Sequence, residues 1–177
     1  MIVPGDPAFL CQAELCSAHC CKAFSVALRG DEVTRLERLG RVNRQRFLEC
    51  EGGEPIALPL ADPFLLARED GHCAMLGADL RCTVYDARPN ACRLYPHQVV
   101  FVEPGTGRRV TNVSHSIYRK ALAGGDEALV PLLLRHLECP GFTGPPMQES
   151  EWAALFVETY RLQYRDQDVS LQQPLPA

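Results

Sequence analysis

The stretch CTVYDARPNACRLYP, residues 82–96, decides how this chain folds. Its first part, Thr83–Tyr85, continues an apolar strand. The next part, Asp86–Pro89, turns the chain, because proline fixes its own φ and disfavours a helical conformation at the residue before it. The turn has one cysteine, Cys82, before it and another, Cys92, after it. We therefore expect the thiols of this protein to lie on loops around a sharp turn.

Cysteine is abundant along the whole chain, at nine of 177 residues. This is about 5%, below the roughly 8–10% that marks a small disulfide-built protein. A chain of this length buries about two-thirds of its unfolded surface, so it does not need disulfides to fold. The odd number also argues against complete pairing. Because the composition, 46% hydrophobic and 23% charged, is that of an ordinary globular protein, the cysteines require another explanation.

Charge and hydropathy exclude several classes of protein. The 18 Lys and Arg against 22 Asp and Glu give a net charge of −4, which provides no basic footprint for nucleic acid. The longest apolar runs are far shorter than the roughly 20 residues that span a bilayer, so we expect no membrane segment. The N-terminal residues lack the pattern of a signal peptide. We expect the protein to lie in the cytoplasm, which is reducing. Clustered thiols there more often bind metal or act in catalysis than form disulfides.

Periodicity and turn residues predict an α+β fold, a small single domain with short β-hairpins, several helices and a loop-borne cysteine cluster. The domain is predicted to cover residues 1–168, and residues 169–177 are predicted to form a disordered tail. The predicted strands and hairpins are 24–28, 64–68, 73–82, and 98–102 with 108–112. The predicted helices are 31–39, 41–48, 126–137 and 149–166.

Eight of the nine cysteines fall into two groups along the sequence. The first group has the spacing C-x4-C-x3-C-C and consists of Cys11, Cys16, Cys20 and Cys21. The second group has the spacing C-x8-C-x9-C, followed later by one more cysteine, and consists of Cys73, Cys82, Cys92 and Cys139. A tetrahedral zinc or an iron–sulfur cluster typically takes four thiolates, so eight cysteines could build one or two complete sites.

The spacing inside the first group has two local consequences. Cys16 and Cys20 are four residues apart, which on a helix would place both thiols on one face. Adjacent Cys20 and Cys21 cannot point in the same direction in a regular helix or strand, so one of them is expected to bind a different metal or simply to pack. The spacings match neither a zinc ribbon nor a ferredoxin run, so spacing alone leaves the metal open.

Basic residues next to the cysteines bear on the charge of such a site. Four thiolates around Zn²⁺ or around a cluster core of charge 2+ leave a local charge of −2, which is costly to bury. The basic neighbours are Lys22, Arg81, Arg88 and Arg93. We expect Arg88 and Arg93 to contact the bound group, and Arg93 could donate a charge-assisted hydrogen bond to a sulfur. His19 and His72 stand beside cysteines and are alternative ligands in place of a sulfur.

The cysteine pattern as a whole resembles a known family. Cys20-Cys21, Cys73, the Cys82–Pro96 stretch and Cys139-Pro140-Gly141 are similar to the YkgJ-type cysteine-cluster proteins, which are named for a CxxCxxCC signature and described as zinc- or iron-chelating. The resemblance covers roughly residues 11–141. It departs at the start, where the first two gaps are four and three residues instead of two and two. It implies metal binding through Cys11, Cys16, Cys20, Cys21, Cys73, Cys82, Cys92 and Cys139. Cys50 matches no family position, so we expect it to be unligated.

The same resemblance extends distantly to flagellin lysine N-methylases, in which an iron–sulfur cluster accompanies methyl transfer from S-adenosylmethionine. It implies an iron–sulfur cluster, with 4Fe–4S favoured, ahead of zinc. The expected function is therefore metal binding in a redox, chelating or structural role. Two alternatives stay open: a cluster-dependent enzyme that transfers a methyl or related group to a protein side chain, and a structural zinc module that docks a protein. The expected partners are accordingly a protein partner or protein substrate, and neither nucleic acid nor a membrane.

Overall fold

The computed structural model describes residues 1–60, 62–110 and 129–164 as short helices and antiparallel strand pairs. The helices are α1 (Ala13–Cys16), α2 (His19–Ala23), α3 (Gly30–Leu39), α4 (Arg44–Phe47), α5 (Asn90–Leu94) and α6 (Glu149–Tyr164). The strands are β1 (Pro7–Phe9), β2 (Ala27–Leu28), β3 (Cys50–Glu51), β4 (Glu54–Pro55), β5 (Phe64–Leu65), β6 (Arg68–Glu69), β7 (His72–Cys73), β8 (His97–Val102), β9 (Arg109–Val110), β10 (Val130–Arg135) and β11 (Phe142–Pro146). The predicted α+β class is confirmed.

Residue contacts divide the chain into two compact units, here called the sheet unit and the cysteine unit. The sheet unit consists of Met1–Leu10, Pro96–Leu137 and Phe142–Ala177, and the cysteine unit consists of Cys11–Tyr95 and Glu138–Gly141. A single domain over residues 1–168 stays a prediction, and the predicted tail 169–177 lies outside the described residues. Among the described helices, none is long and apolar enough to cross a membrane.

The sheet unit is organised around β8, the central strand of a three-stranded antiparallel sheet with the order β10-β8-β9. Helix α6 packs against β8, and the Gln163 side chain both donates to the carbonyl of Val99 and accepts from its N–H, each at 2.8 Å. The buried core of this unit comprises Ile2, Val99, Phe101, Leu133, Met147 and Tyr160. The predicted hairpin and C-terminal helix are confirmed within the described residues, while 111–112 and 165–166 lie outside them.

The predicted helix 126–137 is wrong over the part that the structure describes. Val130–Arg135 is instead strand β10, which pairs with β8 along its whole length, with Leu133 opposite Val99. An apolar run of this length does not distinguish a strand from a buried helix, and pairing with the largely buried strand β8 decides it. Pro131 is tolerated because β10 is at the edge of the sheet. Residues 126–128 lie outside the described part of the chain.

The cysteine unit has its own apolar core, built around α3, α4 and the loop that follows β7. The core residues are Leu28, Val33, Leu36, Phe47, Leu48, Leu66, Met75, Val84 and Ala87, with Cys50, Cys73 and Cys82 packed partly buried against them. The helix predicted at 31–39 is confirmed as α3, whereas the predicted strand 24–28 and helix 41–48 are reduced to β2 and α4.

The hairpin-like segment predicted between Cys73 and Cys82 is confirmed around Gly77, whose N–H donates to the Arg81 carbonyl at 2.7 Å, and a second hairpin, which the sequence reasoning missed, precedes it. Strand β7 pairs backwards with β6, so that Cys73 lies opposite Arg68, and an isolated bridge joins Leu76 to Cys82. The turn between β6 and β7 is Asp70-Gly71, and both residues have positive φ, 49° and 81°. Two positive φ values in a two-residue turn are typical of hairpins, and Asp-Gly is a strong sequence signal for them. The sequence therefore contained the signal for the observed hairpin.

Candidate metal centre

All nine cysteines lie in the cysteine unit, and each is a free thiol. Cys11 is exposed and the other eight are partly buried. Seven cysteines of the two sequence groups lie between Cys11 and Tyr95, and the short segment Glu138–Gly141 adds Cys139 to the same unit. The fold thus gathers residues that are up to 128 positions apart in sequence, counted from Cys11 to Cys139.

The chain bends sharply within the first group. Cys16 ends α1, and Ser17 and Ala18 then adopt the left-handed conformation with φ of 50° and 56° before α2 begins. This conformation costs a non-glycine residue roughly 1–2 kcal/mol. Ala18 is held in it by burial and by a 3.0 Å hydrogen bond from its N–H to the Ala13 carbonyl. The expectation that Cys16 and Cys20 share one helix face is therefore wrong, because they lie on two different helices.

The adjacent cysteines of α2 do interact, contrary to the sequence-based expectation. The Cys21 thiol hydrogen-bonds to the Cys20 sulfur, and this contact lowers the pKa of Cys20 and raises that of Cys21. A helix of only five residues does not hold neighbouring side chains to the directions of a long regular helix. Cys20 is therefore the thiol of this pair that ionises first.

Arg68 fixes the C-terminal end of α2. Its guanidinium donates to the carbonyl oxygens of Lys22 at 2.6 Å and Phe24 at 2.7 Å, and also to that of Gly71. The last carbonyl groups of a helix have no partner within the helix, and a cation at this end is favourable. Because Arg68 comes from β6, it holds α2 against the hairpin that carries Cys73.

The backbone of Met75 joins two cysteine-bearing segments of the second group. Its N–H donates to the Cys73 sulfur at 3.3 Å. Its carbonyl accepts from the N–H of Thr83 at 3.0 Å and from the Thr83 hydroxyl at 3.1 Å. Met75 itself belongs to the buried core. Cys73 and Cys82, the residue before Thr83, are therefore held around one buried backbone position.

The Asp86–Pro89 turn leads into α5, which carries Cys92. The Arg88 guanidinium stacks on the Tyr85 ring at 3.6 Å and its Nε donates to the Tyr85 carbonyl at 2.9 Å. Burial raises the pKa of Cys92 to about 12; nearby thiolates add to this effect and the Arg88 charge opposes it. Arg88 also lowers the pKa of Cys20 in addition to the Cys21 hydrogen bond. Its positive charge therefore faces thiols of both sequence groups.

The charge interactions among the thiols define two neighbourhoods. In the first, burial raises the pKa values of Cys11 and Cys139, and the thiolates that raise them further belong to Cys11, Cys16 and Cys20. In the second, the pKa values of Cys21, Cys82 and Cys92 are raised by thiolates that include Cys73 and Cys20. The first neighbourhood thus contains Cys11, Cys16 and Cys139, and the second contains Cys21, Cys73, Cys82 and Cys92. Cys20 acts on thiols of both.

Cys50 is situated differently from these eight. It starts β3, packs against the apolar core of the cysteine unit, and its thiol donates to the Leu48 carbonyl at 3.3 Å. These are the contacts of a small apolar residue with a weak donor. Cys50 thus shares the apolar core with Cys73 and Cys82, and its thiol differs from theirs in being hydrogen-bonded to a backbone carbonyl.

The eight thiols are neighbours without yet forming a coordination sphere. Within the described ranges, no three His, Cys, Asp or Glu side chains are arranged so that they could hold a metal ion as they stand. The donor set nevertheless fits a thiophilic metal, because thiolate sulfur selects zinc and iron–sulfur clusters over hard cations. Metal binding must therefore include movement of the cysteine side chains or of the short helices, strand and loops that carry them.

The other residues that the sequence suggested have separate contacts. Arg81 pairs with Glu14 of α1 at 3.0 Å, and His72 places Nδ1 3.0 Å from the Cys73 carbonyl oxygen. The His19 ring packs edge-on against Phe24, at 5.9 Å between centroids. Arg93 lies in α5 one residue after Cys92. Its role as a donor to a sulfur stays a prediction.

The sequence reasoning missed Glu32, Arg35 and Arg68. Glu32 is 1% exposed, and its carboxylate accepts from the backbone N–H of Asn90 at 2.7 Å. Arg35 donates to the carbonyl of Arg88 and to the side-chain oxygen of Asn90, each at 2.9 Å. These contacts span 53 to 58 residues of sequence, so no local pattern indicates them.

Comparison with known proteins gives one match. A family model named CxxCxxCC, described as a "Putative zinc- or iron-chelating domain", matches residues 10–118, which is more than half of the chain. The match includes seven of the eight clustered cysteines and ends before Cys139. Neither a curated protein nor a solved structure matches the chain significantly. The implied similarity to flagellin lysine N-methylases is therefore not shown.

Proposed function

This chain belongs to the CxxCxxCC family, and we propose that its eight clustered cysteines bind iron as an iron–sulfur cluster. The proposal rests on a difference between the eight clustered thiols and the ninth, that of Cys50. The eight clustered thiols, seven of which lie within the family match, act electrostatically on one another, whereas the Cys50 thiol donates to the Leu48 carbonyl at 3.3 Å. Membership of the family supports metal binding in general, and the choice of an iron–sulfur cluster is the finer part of the proposal.

The protonation of the thiols is consistent with this function. Burial raises the pKa values of Cys11, Cys73, Cys82, Cys92 and Cys139 in the metal-free protein, so these thiols are neutral at pH 7. A metal binds the thiolate and must therefore displace these protons. The positive charge of the metal replaces them and removes the cost of burying thiolates.

We assign the principal site to Cys21, Cys73, Cys82 and Cys92. These four form one neighbourhood, and four thiolates complete a cubane cluster or a tetrahedral zinc site. The other neighbourhood, Cys11, Cys16 and Cys139, supplies three thiols and needs Cys20 as a fourth. It is the candidate for a second site, so the expected capacity is one or two metal groups per chain.

Two arginines favour a cluster over structural zinc. Burial raises the pKa values of thiols in both neighbourhoods; the charge of Arg88 opposes this rise at Cys11 and Cys92, and that of Arg68 opposes it at Cys73. Charges and hydrogen bonds near the sulfurs set the reduction potential of an iron–sulfur cluster. A structural zinc ion has no potential to set, so this arrangement suits a redox centre better.

The test is the metal content and colour of protein purified without oxygen. We expect brown protein that contains iron and acid-labile sulfide and has visible sulfur-to-iron charge-transfer absorption. Cys82→Ser should lose most of the iron, and the matched control Cys50→Ser should retain it. Colourless protein with stoichiometric zinc would overturn the assignment of iron, and metal-free protein with nine reactive thiols would overturn metal binding itself.

A further inference from the structure

Two charged side chains of α3 contact the turn that precedes Cys92. Glu32 accepts from the N–H of Asn90 at 2.7 Å through Oε1 and from the N–H of Arg29 at 3.0 Å through Oε2. Arg35 donates to the Arg88 carbonyl and to the Asn90 side chain, and its guanidinium lies 3.7 Å from Glu32. The Glu32 carboxylate is 1% exposed, so its charge is compensated by these donors instead of by water.

Helix α5 has no means of fixing its own N-terminus. The residue before it is Pro89, which offers no side-chain group to accept from the first N–H groups. A helix of five residues is also far too short to be stable by itself. The acceptor for the first N–H, that of Asn90, is the carboxylate of Glu32 from another helix. The position of α5, and of Cys92 on it, therefore depends on α3.

We infer that Glu32 and Arg35 are positioning residues for the metal centre, which set the places of Arg88 and Cys92 without touching the metal. The inference rests on the proposed function. Glu32 holds the N-terminus of α5, two residues before Cys92, and Arg35 holds the backbone carbonyl of Arg88. Both members of the pair act on the same turn. Losing either one lets α5 shift relative to Cys73 and Cys82.

The same helix provides a matched control. Glu37 of α3 forms a 2.7 Å ion pair with Arg44, and both side chains are partly exposed to solvent. This pair joins α3 to the N-terminus of α4, whereas the Glu32 contacts join α3 to the N-terminus of α5. Substituting Glu37 changes the charge of α3 by the same amount as substituting Glu32.

The experiment measures Co²⁺ binding to the full, reduced, metal-free chain, because thiolate–Co²⁺ absorption reports both affinity and the number of sulfur ligands. We expect Glu32→Gln and Arg35→Met to weaken Co²⁺ binding at least tenfold and to change the spectrum per bound ion, at unchanged far-UV circular dichroism. Glu37→Gln should bind as the wild type does. Wild-type affinity and spectrum in both variants would overturn the positioning role and leave the proposed function standing.

A wild-type chain without any thiolate–Co²⁺ absorption would overturn the proposed function and the inference with it. If Glu32→Gln fails to fold, Asn90→Ala replaces it in the experiment. This substitution removes only the side-chain oxygen that accepts a hydrogen bond from Arg35. We then expect Co²⁺ binding about threefold weaker with a changed spectrum. Unchanged binding by folded Asn90→Ala and Arg35→Met would overturn the inference.

Discussion

The backbone N–H of Asn90 donates a 2.7 Å hydrogen bond to the buried carboxylate of Glu32, 58 residues away in sequence. This contact joins the longest helix of the cysteine unit to the short helix that carries Cys92. A carboxylate outside the thiol cluster thereby takes part in building it. The stability of the fold and the geometry of the thiols are coupled through this bond.

Glu32→Ala should lower the free energy of unfolding of the metal-free protein by about 2 kcal/mol or more. The substitution leaves the N–H groups of Asn90 and Arg29 without their acceptor, and an unsatisfied buried group costs roughly 1–3 kcal/mol. Urea unfolding followed by circular dichroism measures the change. Glu37→Ala, which removes a partly exposed ion pair, should have no measurable effect. Equal loss in both variants would contradict the structural role of Glu32.

Arg68→Met should free the C-terminal end of α2, because the three carbonyl oxygens that Arg68 contacts lose their donor. We expect faster exchange of the α2 amide hydrogens, by about tenfold, measured by hydrogen–deuterium exchange and mass spectrometry. Arg68→Lys should not restore protection, since one ammonium group cannot reproduce the guanidinium fork. Arg46→Met, at an exposed site on α4, is the control. Normal α2 protection in Arg68→Met would be the contrary result.

The metal-free protein should lose stability as the pH rises above about 8.5, the ordinary pKa of cysteine. Burial raises the pKa of Cys92 to about 12, so its thiol stays protonated in the folded state while the unfolded chain ionises. The folded state then binds more protons, and its stability falls by about 1.4 kcal/mol per pH unit for each such thiol. Urea midpoints at pH 7.5 and 9.5, under reducing conditions, measure this slope. Cys92→Ala should make it shallower, and stability that rises with pH would refute the prediction.

The rate at which each cysteine is alkylated should depend on how readily its thiol ionises in the metal-free protein. In the metal-bound protein it should depend on whether the thiol binds the metal. The Cys21 hydrogen bond lowers the pKa of Cys20, so in the metal-free protein iodoacetamide at pH 7 should modify Cys20 before Cys92, by a factor of ten or more. Reconstitution with metal should protect Cys21, Cys73, Cys82 and Cys92, together with the other four clustered cysteines if a second group binds, and leave Cys50 unchanged. Peptide mass spectrometry after short exposures measures both effects. Protection of Cys50 together with the others would contradict the difference between Cys50 and the clustered thiols.

The sequence predicted the elements whose signals are local. The apolar periodicity of 149–166 predicted α6, and the glycine-containing turn at 103–107 predicted the β8–β9 hairpin. The family resemblance found through the Cys82–Pro96 stretch is also confirmed by the family match. These features depend on residues that are close in sequence or on a pattern specific to a family.

The errors come from interactions that are distant in sequence. Val130–Arg135 became a strand because β8 offers a buried partner, which the apolar run itself does not reveal. The bend at Ser17 and Ala18 carries no glycine to mark it and depends on tertiary packing. Nothing in the local sequence singles out Glu32, since its partner Asn90 lies far along the chain. The eight cysteines proposed as ligands could therefore be named from the sequence and stay a prediction, whereas the residues that contact their segments could not be named.

The most direct test is the ratio of iron, acid-labile sulfide and zinc per chain in protein purified anaerobically from cells that have both metals available. The account predicts iron and sulfide in equal amounts, about four of each for every cubane cluster, with little zinc. Stoichiometric zinc without sulfide would contradict the iron–sulfur assignment. A chain with neither metal, and with all nine thiols open to alkylation, would contradict the metal centre itself.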